Sequence, residues 1–148
     1  MRKRFYMALI ICVSAFLVTA CSKGGGGGTD DGSGGGPHVI SVEDTTRPVL
    51  EILSPVNNQV YTGATSIAIN GKISDDLGLY RGSIRVTNDA NGDLLKEQLY
   101  EIHGVLLYNY SINVPVSVSL PADYTVTVFF EDHGLNSVSR SVKVKVNP

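Results

Sequence analysis

Hydrophobic and polar residues alternate with a period of two along most of the chain after residue 44, and this region carries no helical stripe. Residues 66–73 place Ile67, Ile69 and Ile73 on one face, with small or polar residues on the other. Because successive side chains of a β-strand point to opposite sides, this spacing is typical of a strand with one buried face. The pattern predicts seven strands, at residues 48–54, 66–73, 79–87, 94–102, 105–114, 124–130 and 138–146.

Turn residues separate these predicted strands. The loop at 88–93, NDANGD, is rich in residues that tolerate positive φ. About seven short strands with frequent turns are typical of an antiparallel β-sandwich, and polar outer faces fit sheets that are wetted on one side. The sequence therefore predicts one all-β domain over residues 44–148, built as a sandwich of about seven antiparallel strands.

The first twenty residues have a different character. Arg2, Lys3 and Arg4 precede an apolar run over residues 5–18, and small residues follow it up to Cys21. A basic start, a short apolar core and small residues before a cleavage point are typical of a secretory signal peptide. The run is shorter than the ~20 apolar residues of a membrane-spanning helix. The sequence predicts a signal peptide over residues 1–20.

The residues around the predicted cleavage point, Val18-Thr19-Ala20-Cys21, resemble the lipobox of bacterial lipoproteins. The resemblance implies that Cys21 becomes the first residue of the mature chain and carries acyl chains such as palmitate. It also implies an anchor in the outer membrane, on either of its faces. An ordinary signal peptide with an incidental cysteine is the alternative. Since Cys12 leaves with the signal peptide and lipid consumes the thiol of Cys21, no disulfide is expected.

Residues 21–43 link the predicted anchor to the predicted domain. Their central part, SKGGGGGTDDGSGGGP at 22–37, has almost no apolar side chain to bury, and its glycines leave the backbone free. The composition predicts a flexible tether. Removal of the signal peptide takes three of the 12 basic residues and leaves nine against 14 acidic ones, a net charge of −5. This mild negative charge does not favour binding to nucleic acid.

Three stretches of the predicted domain resemble bacterial immunoglobulin-like domains. They are DTTRPVLEILSP at 44–55, NGKISDDLGLYRGSIRV at 70–86 and LPADYTVTVFFEDHGLNSVSRSVKVKV at 120–146. The chain is particularly similar to short lipid-anchored domains of unknown function that are common in Bacteroidota. The resemblance implies an immunoglobulin-like sandwich at the cell envelope and implies no enzymatic activity. The start of the third stretch also matches a tyrosine corner, in which the Tyr124 hydroxyl bonds to upstream backbone.

Acidic residues occur in three segments that the sandwich topology brings to one end. If each strand reverses the direction of the previous one, the start of the first strand, the loop near residue 75 and the last loop share this end. Ca²⁺ takes about 6–8 oxygen ligands, and carboxylate oxygens are common among them. Capping of turns by the acids is the simpler interpretation. A calcium site is the alternative, with Glu43 nearby and with these predicted ligands: Asp44, Asp75, Asp76, Glu131 and Asp132.

Other residue types give less support for a site. His103 and His133 are expected at the same end, but their spacing matches no transition-metal motif. The chain contains no G-x-S-x-G motif and no Ser-His-Asp set on recognisable elements. Tyr61 and Tyr100 either fill the core or form an exposed binding patch. These features predict a protein that is not an enzyme.

The sequence as a whole favours a non-enzymatic, lipid-anchored protein of the cell envelope that serves as a binding, adhesion or structural accessory module. Its expected partners are the outer membrane, through the lipid, and an envelope protein or polysaccharide. Neither nucleic acid nor a small-molecule substrate is expected. The alternative function is a Ca²⁺-dependent carbohydrate- or protein-binding domain that uses the acidic loops at one end of the sandwich.

Overall fold

The structure, a computed structural model, describes residues 40–148. The predicted signal peptide, the predicted lipidation site Cys21 and the predicted tether up to residue 39 lie outside the described residues. Within 40–148, no helix is long and apolar enough to cross a membrane. This part of the chain forms eight strands: β1 (Val49–Ser54), β2 (Gln59–Thr62), β3 (Ser66–Ser74), β4 (Leu79–Asn88), β5 (Leu94–Glu101), β6 (Leu107–Pro115), β7 (Ala122–Asp132) and β8 (Ser137–Asn147).

The eight strands form the two sheets of an all-β sandwich. One sheet is antiparallel, with the order β1-β3-β6, and the other has the order β2-β8-β7-β4-β5. The predicted fold class is confirmed, with one correction. The second sheet is mixed, because an eighth strand, β2, runs parallel to β8.

The pattern of the sequence did not predict β2 because the strand is too short. It contains four residues, Gln59–Thr62, of which Val60 and Thr62 are exposed. Four positions give too little alternation to indicate a strand. The pairing of β2 with residues 144–147 of β8 defines the strand instead, and this pairing joins parts of the chain that are far apart in sequence.

Alternating residues of the facing sheets fill the core. The predicted inner faces of the second and sixth predicted strands, now β3 and β7, are confirmed. Their fully buried residues are Ile67, Ile69, Ile73, Val126, Val128 and Phe130. Asp132, two residues after Phe130, continues the inner face of β7 and is also fully buried. The end of β7 therefore carries a carboxylate into a position that belongs to the core.

Two glycines leave room for aromatic rings in this core. Tyr110 of β6 lies opposite Gly71 of the central strand β3, and its hydroxyl donates to the backbone oxygen of Glu51 on β1, at 2.8 Å. A side chain at position 71 would collide with that hydroxyl and with that backbone oxygen. Gly82 of β4 likewise lies against the ring of Phe130, which packs 5.8 Å from the ring of Tyr110. The two glycines thus let the rings pack between the sheets.

Candidate functional site

Three loops meet at one end of the sandwich. They are the entry segment (residues 41–46, before β1), the β3–β4 loop (75–78) and the β7–β8 loop (133–136). Backbone hydrogen bonds connect them, from Ser41 N to His133 O (2.9 Å) and from His133 N to Gly78 O (3.1 Å). The proximity that the topology predicted is therefore present. We call this group of loops the acidic end.

Three aspartates of the acidic end cap their own loops. In each of them, one carboxylate oxygen accepts a hydrogen bond from a backbone N–H two to four residues further on. Such bonds are typical of aspartate in turns, where the side chain takes the place of a backbone acceptor. The acceptors are Asp44 Oδ1 for Thr46 N (3.3 Å), Asp75 Oδ2 for Leu77 N (3.0 Å) and Gly78 N (2.8 Å), and Asp132 Oδ1 for Asn136 N (2.8 Å).

The second oxygen of each of these carboxylates is buried without a hydrogen-bond partner among the described residues. These oxygens are Asp44 Oδ2, Asp75 Oδ1 and Asp132 Oδ2. Asp44 is only 3% exposed, and Asp132 is fully buried. A buried charged group without a partner costs several kcal/mol. Turn capping therefore explains one oxygen of each aspartate and leaves the other in need of a cation or a proton.

The charge of this cluster acts on Asp44. Burial raises the pKa of the Asp44 carboxyl above its ordinary value, and the nearby charges of Asp132 and Asp75 raise it further. Asp76 contributes in the same direction, while the hydrogen bond from Thr46 N partly opposes these effects. Burial and the neighbouring carboxylates therefore both disfavour the ionised form of Asp44.

The spacing of the carboxylates fits one ion. Oxygens of Asp44, Asp75 and Asp76 lie within 4.8 Å of one another, and two oxygens that are each about 2.4 Å from one Ca²⁺ are at most about 4.8 Å apart. Asp44 is buried and Asp76 is exposed, so one side of the group is open to water. An all-oxygen set borne by irregular loops suits Ca²⁺ better than Mg²⁺, which requires near-ideal octahedral geometry.

Comparison with known proteins adds no assignment to this geometry. No family model matches the chain, and no curated protein is significantly similar to it. The function must therefore be inferred from the acidic end and from the sequence features already described.

The structure does not bring every predicted ligand into the cluster. Glu131 lies opposite Arg81 in the pairing of β7 with β4, and its carboxylate forms an ion pair with the Arg81 guanidinium at 2.9 Å. Because neighbouring residues of a strand face opposite sides, Asp132 points into the sandwich and Glu131 points away from it. Glu43 is exposed. The close set of oxygens therefore belongs to Asp44, Asp75 and Asp76. Asp132 remains a further candidate, because its charge acts on Asp44 and its Oδ2 is buried without a hydrogen-bond partner among the described residues.

The two histidines of the acidic end form a separate group. The rings of His103 and His133 lie 5.4 Å apart, and Tyr80 packs against both, at 4.7 Å and 5.3 Å. The Arg81 guanidinium lies 5.0 Å from the centre of the Tyr80 ring. Tyr80 of β4 is half-buried in this aromatic group. Within residues 40–148, the close set of potential metal ligands contains aspartates only.

The remaining predicted tyrosines lie in or beside the core. Tyr124 of β7 is 5% exposed, and the bond predicted for its hydroxyl stays a prediction. Tyr61 and Tyr100 are partly buried and pack against the core. The ring of Tyr100 lies 5.7 Å from that of Tyr108. These contacts favour the core-filling role of Tyr61 and Tyr100 over the exposed patch.

Two residues that hold the acidic end together were not predicted. Asn136 Nδ2 donates to the backbone oxygen of Asp44 at 3.0 Å. Gly134 lies so close to the same backbone oxygen that a Cβ would collide with it. Gly134 and Asn136 follow Asp132 at a spacing of two and four residues, and this spacing is the sequence feature that could have indicated their role. The β7–β8 loop thus positions Asp44 as well as its own aspartate.

Proposed function

We propose that this chain is a non-enzymatic, lipid-anchored binding module of the cell envelope whose acidic end binds Ca²⁺. The lipobox-like sequence before Cys21 supports the anchor, and the small sandwich supports a binding, adhesion or accessory role over catalysis. The ligands of the ion are Asp44, Asp75, Asp76 and Asp132, with water at the open side. An envelope protein or a polysaccharide is the proposed partner.

One observation carries the calcium proposal. Three aspartates from three separate segments of one end of the sandwich each have one buried oxygen without a hydrogen-bond partner among residues 40–148. Turn capping alone does not require a buried second oxygen, since an exposed carboxylate caps a turn equally well and is solvated by water. A divalent cation would neutralise the cluster and would cross-link the loops.

Calcium should therefore stabilise the folded chain. We expect the melting temperature of the full-length chain to rise by about 10 °C from EDTA to a calcium concentration a hundred times the Kd, because binding to the native state then contributes about 2.7 kcal/mol. Magnesium should give a smaller rise. Differential scanning calorimetry measures both shifts.

The matched control is Asp93→Asn, which removes an exposed acid from the β4–β5 loop and should keep the full calcium shift. Asp75→Asn should lose the shift, because Asn keeps an acceptor for the turn but lacks the charge. Equal melting temperatures of the unmodified chain in calcium and in EDTA would rule out the calcium site.

The lipid anchor requires its own test. A Cys21→Ser chain, expressed in a Gram-negative host fed with an alkyne-bearing fatty acid, should lose the label, because acylation of a lipoprotein takes place on the thiol of the cleavage-site cysteine. A Cys12→Ser chain is the control and should be labelled like the unmodified chain. The measurement is in-gel fluorescence after coupling to an azide dye. Undiminished labelling of Cys21→Ser would refute lipidation at this position.

A further inference from the structure

The entry segment is attached to the sandwich almost entirely by polar contacts. Of residues 40–47, Asp44 alone is buried, while Ile40 and Val42 are 47% and 85% exposed. Two hydrogen bonds join the segment to the β7–β8 loop, from Ser41 N to His133 O and from Asn136 Nδ2 to Asp44 O. Apolar burial, which usually anchors a terminal segment, contributes little here.

The buried residue of the entry segment is also the one that its surroundings repel. Asp44 lies next to the charges of Asp132 and Asp75, and its Oδ2 is buried without a hydrogen-bond donor. Repulsion between these carboxylates favours release of the segment from the sandwich, whereas its two hydrogen bonds favour docking. A cation shared by Asp44, Asp75 and Asp76 would replace this repulsion by attraction, because each carboxylate would then be attracted to the same ion.

We propose that Ca²⁺ docks the entry segment onto the sandwich and that loss of Ca²⁺ releases it. Occupancy of the acidic end then decides where the sandwich begins along the chain. With calcium, residues 41–46 belong to the folded domain. Without calcium, residues 41–46 leave the sandwich. This inference rests on the calcium site proposed above and assigns it a regulatory role.

Hydrogen exchange of the full-length chain in detergent, followed by mass spectrometry, tests the proposal. Exchange of the peptide that covers residues 41–46 should slow about tenfold or more in CaCl₂ relative to EDTA, because exchange of a docked segment requires local opening. A peptide from the β4–β5 loop (residues 89–93), which lies at the other end of β4 and exchanges by local opening, should exchange equally in both conditions and serves as the internal reference.

Asn136→Ala tests whether docking of the entry segment and ion binding are linked. It removes the bond to Asp44 O and leaves every carboxylate and the backbone bond to Asp132 Oδ1 in place. We expect it to bind calcium more weakly than the unmodified chain and to show less protection of residues 41–46 at the same calcium concentration. Ser137→Ala, an exposed change next to it, should behave like the unmodified chain.

The outcomes distinguish this inference from the site on which it rests. If calcium raises the melting temperature and protects residues 75–78 and 132–136 but not 41–46, the ion binds without docking the segment, and the inference is wrong. If calcium changes neither the melting temperature nor any exchange rate, the calcium site itself is wrong. If residues 41–46 are protected by calcium in Asp75→Asn as strongly as in the unmodified chain, another ion position is responsible, and the inference is wrong.

Discussion

In EDTA, the Asp44→Asn chain should melt about 4 °C above the unmodified chain, and in saturating calcium it should melt several degrees below it. The substitution removes a buried charge that its neighbours repel, and Asn keeps an oxygen that accepts the hydrogen bond from Thr46 N. The same substitution removes a ligand of the proposed ion. One side-chain change therefore has opposite effects on stability in the two conditions.

The pH dependence has the same origin. The folded-state pKa of Asp44 is raised above its ordinary value, so the folded chain binds more protons than the unfolded chain between these two values. In EDTA, Asp44 therefore makes the unmodified chain less stable as pH rises through this window. Asp44→Asn should lack this contribution, and calcium should oppose it, because the ion binds the ionised carboxylate. Calorimetry at several pH values measures both slopes.

Asp89→Asn is the matched control for these measurements. Asp89 has a lowered pKa, because Thr125 Oγ1 donates to its carboxylate at 2.6 Å and Lys143 Nζ lies 2.9 Å from it. Its loss should lower the melting temperature by a similar amount in calcium and in EDTA. If Asp44→Asn also lowered the melting temperature in both conditions by a similar amount, Asp44 would be an ordinary turn-capping residue.

Gly71→Ala should have the largest effect on the fold itself. The added Cβ would meet the backbone oxygen of Glu51 and the Tyr110 hydroxyl, and the backbone of β1 cannot move without disturbing its pairing with β3. Overpacking of a core commonly lowers the free energy of unfolding by about 1–3 kcal/mol. Because the added Cβ meets backbone, which cannot easily move, we expect a loss at or above the upper end of this range. We expect a melting temperature at least 10 °C lower, or no cooperative transition in calorimetry.

Two further variants separate the causes of this loss. Gly63→Ala has no heavy atom within 4 Å of the added Cβ and should cost only the strain of a positive φ, about 1 kcal/mol. Tyr110→Phe removes the bond to Glu51 O and should cost about 1 kcal/mol. Adding Tyr110→Phe to Gly71→Ala should not restore stability, because the collision with the Glu51 backbone remains. Near-normal stability of Gly71→Ala would contradict the packing described for the three-stranded sheet.

The strands that could be predicted are those whose packing follows from their own sequence. Alternation over residues 66–73 and 124–130 identified β3 and β7 and the faces that they bury. The fifth predicted strand started at residue 105, but β6 begins at Leu107, and Leu106 is 53% exposed in the preceding loop. Strand boundaries depend on partners from distant parts of the chain, and one strand's sequence does not contain that information.

The acidic end was predictable at the level of topology and not at the level of atoms. Reversal of successive strands was enough to bring Asp44, Asp75 and Asp132 together. The exclusion of Glu131 follows from the alternation of β7, since Phe130 and Asp132 share its inner face. In each carboxylate, one oxygen caps the turn and the other has no hydrogen-bond partner. Which oxygen does which depends on the conformation of the loop, and the spacing of acids along the chain does not specify that conformation.

Turn capping and ion binding are consequently not competing explanations for these aspartates. Capping fixes the rotamer of each carboxylate and thereby aims its second oxygen. Pre-positioned ligands lose less conformational entropy when an ion binds, which favours affinity. The turns that the sequence predicts are thus the structural support of the site that the geometry favours.

A crystal structure of the mature chain grown with CaCl₂ tests the central claim most directly. We expect one ion at the acidic end, about 2.3–2.6 Å from Asp44 Oδ2, Asp75 Oδ1 and an oxygen of Asp76, with Asp132 Oδ2 as a ligand or bonded to an ion-bound water. Anomalous scattering identifies calcium. The calcium concentration in the crystal should be well above that used for melting. If these oxygens then contact only protein hydrogen-bond donors or water, the acidic end is not a calcium site.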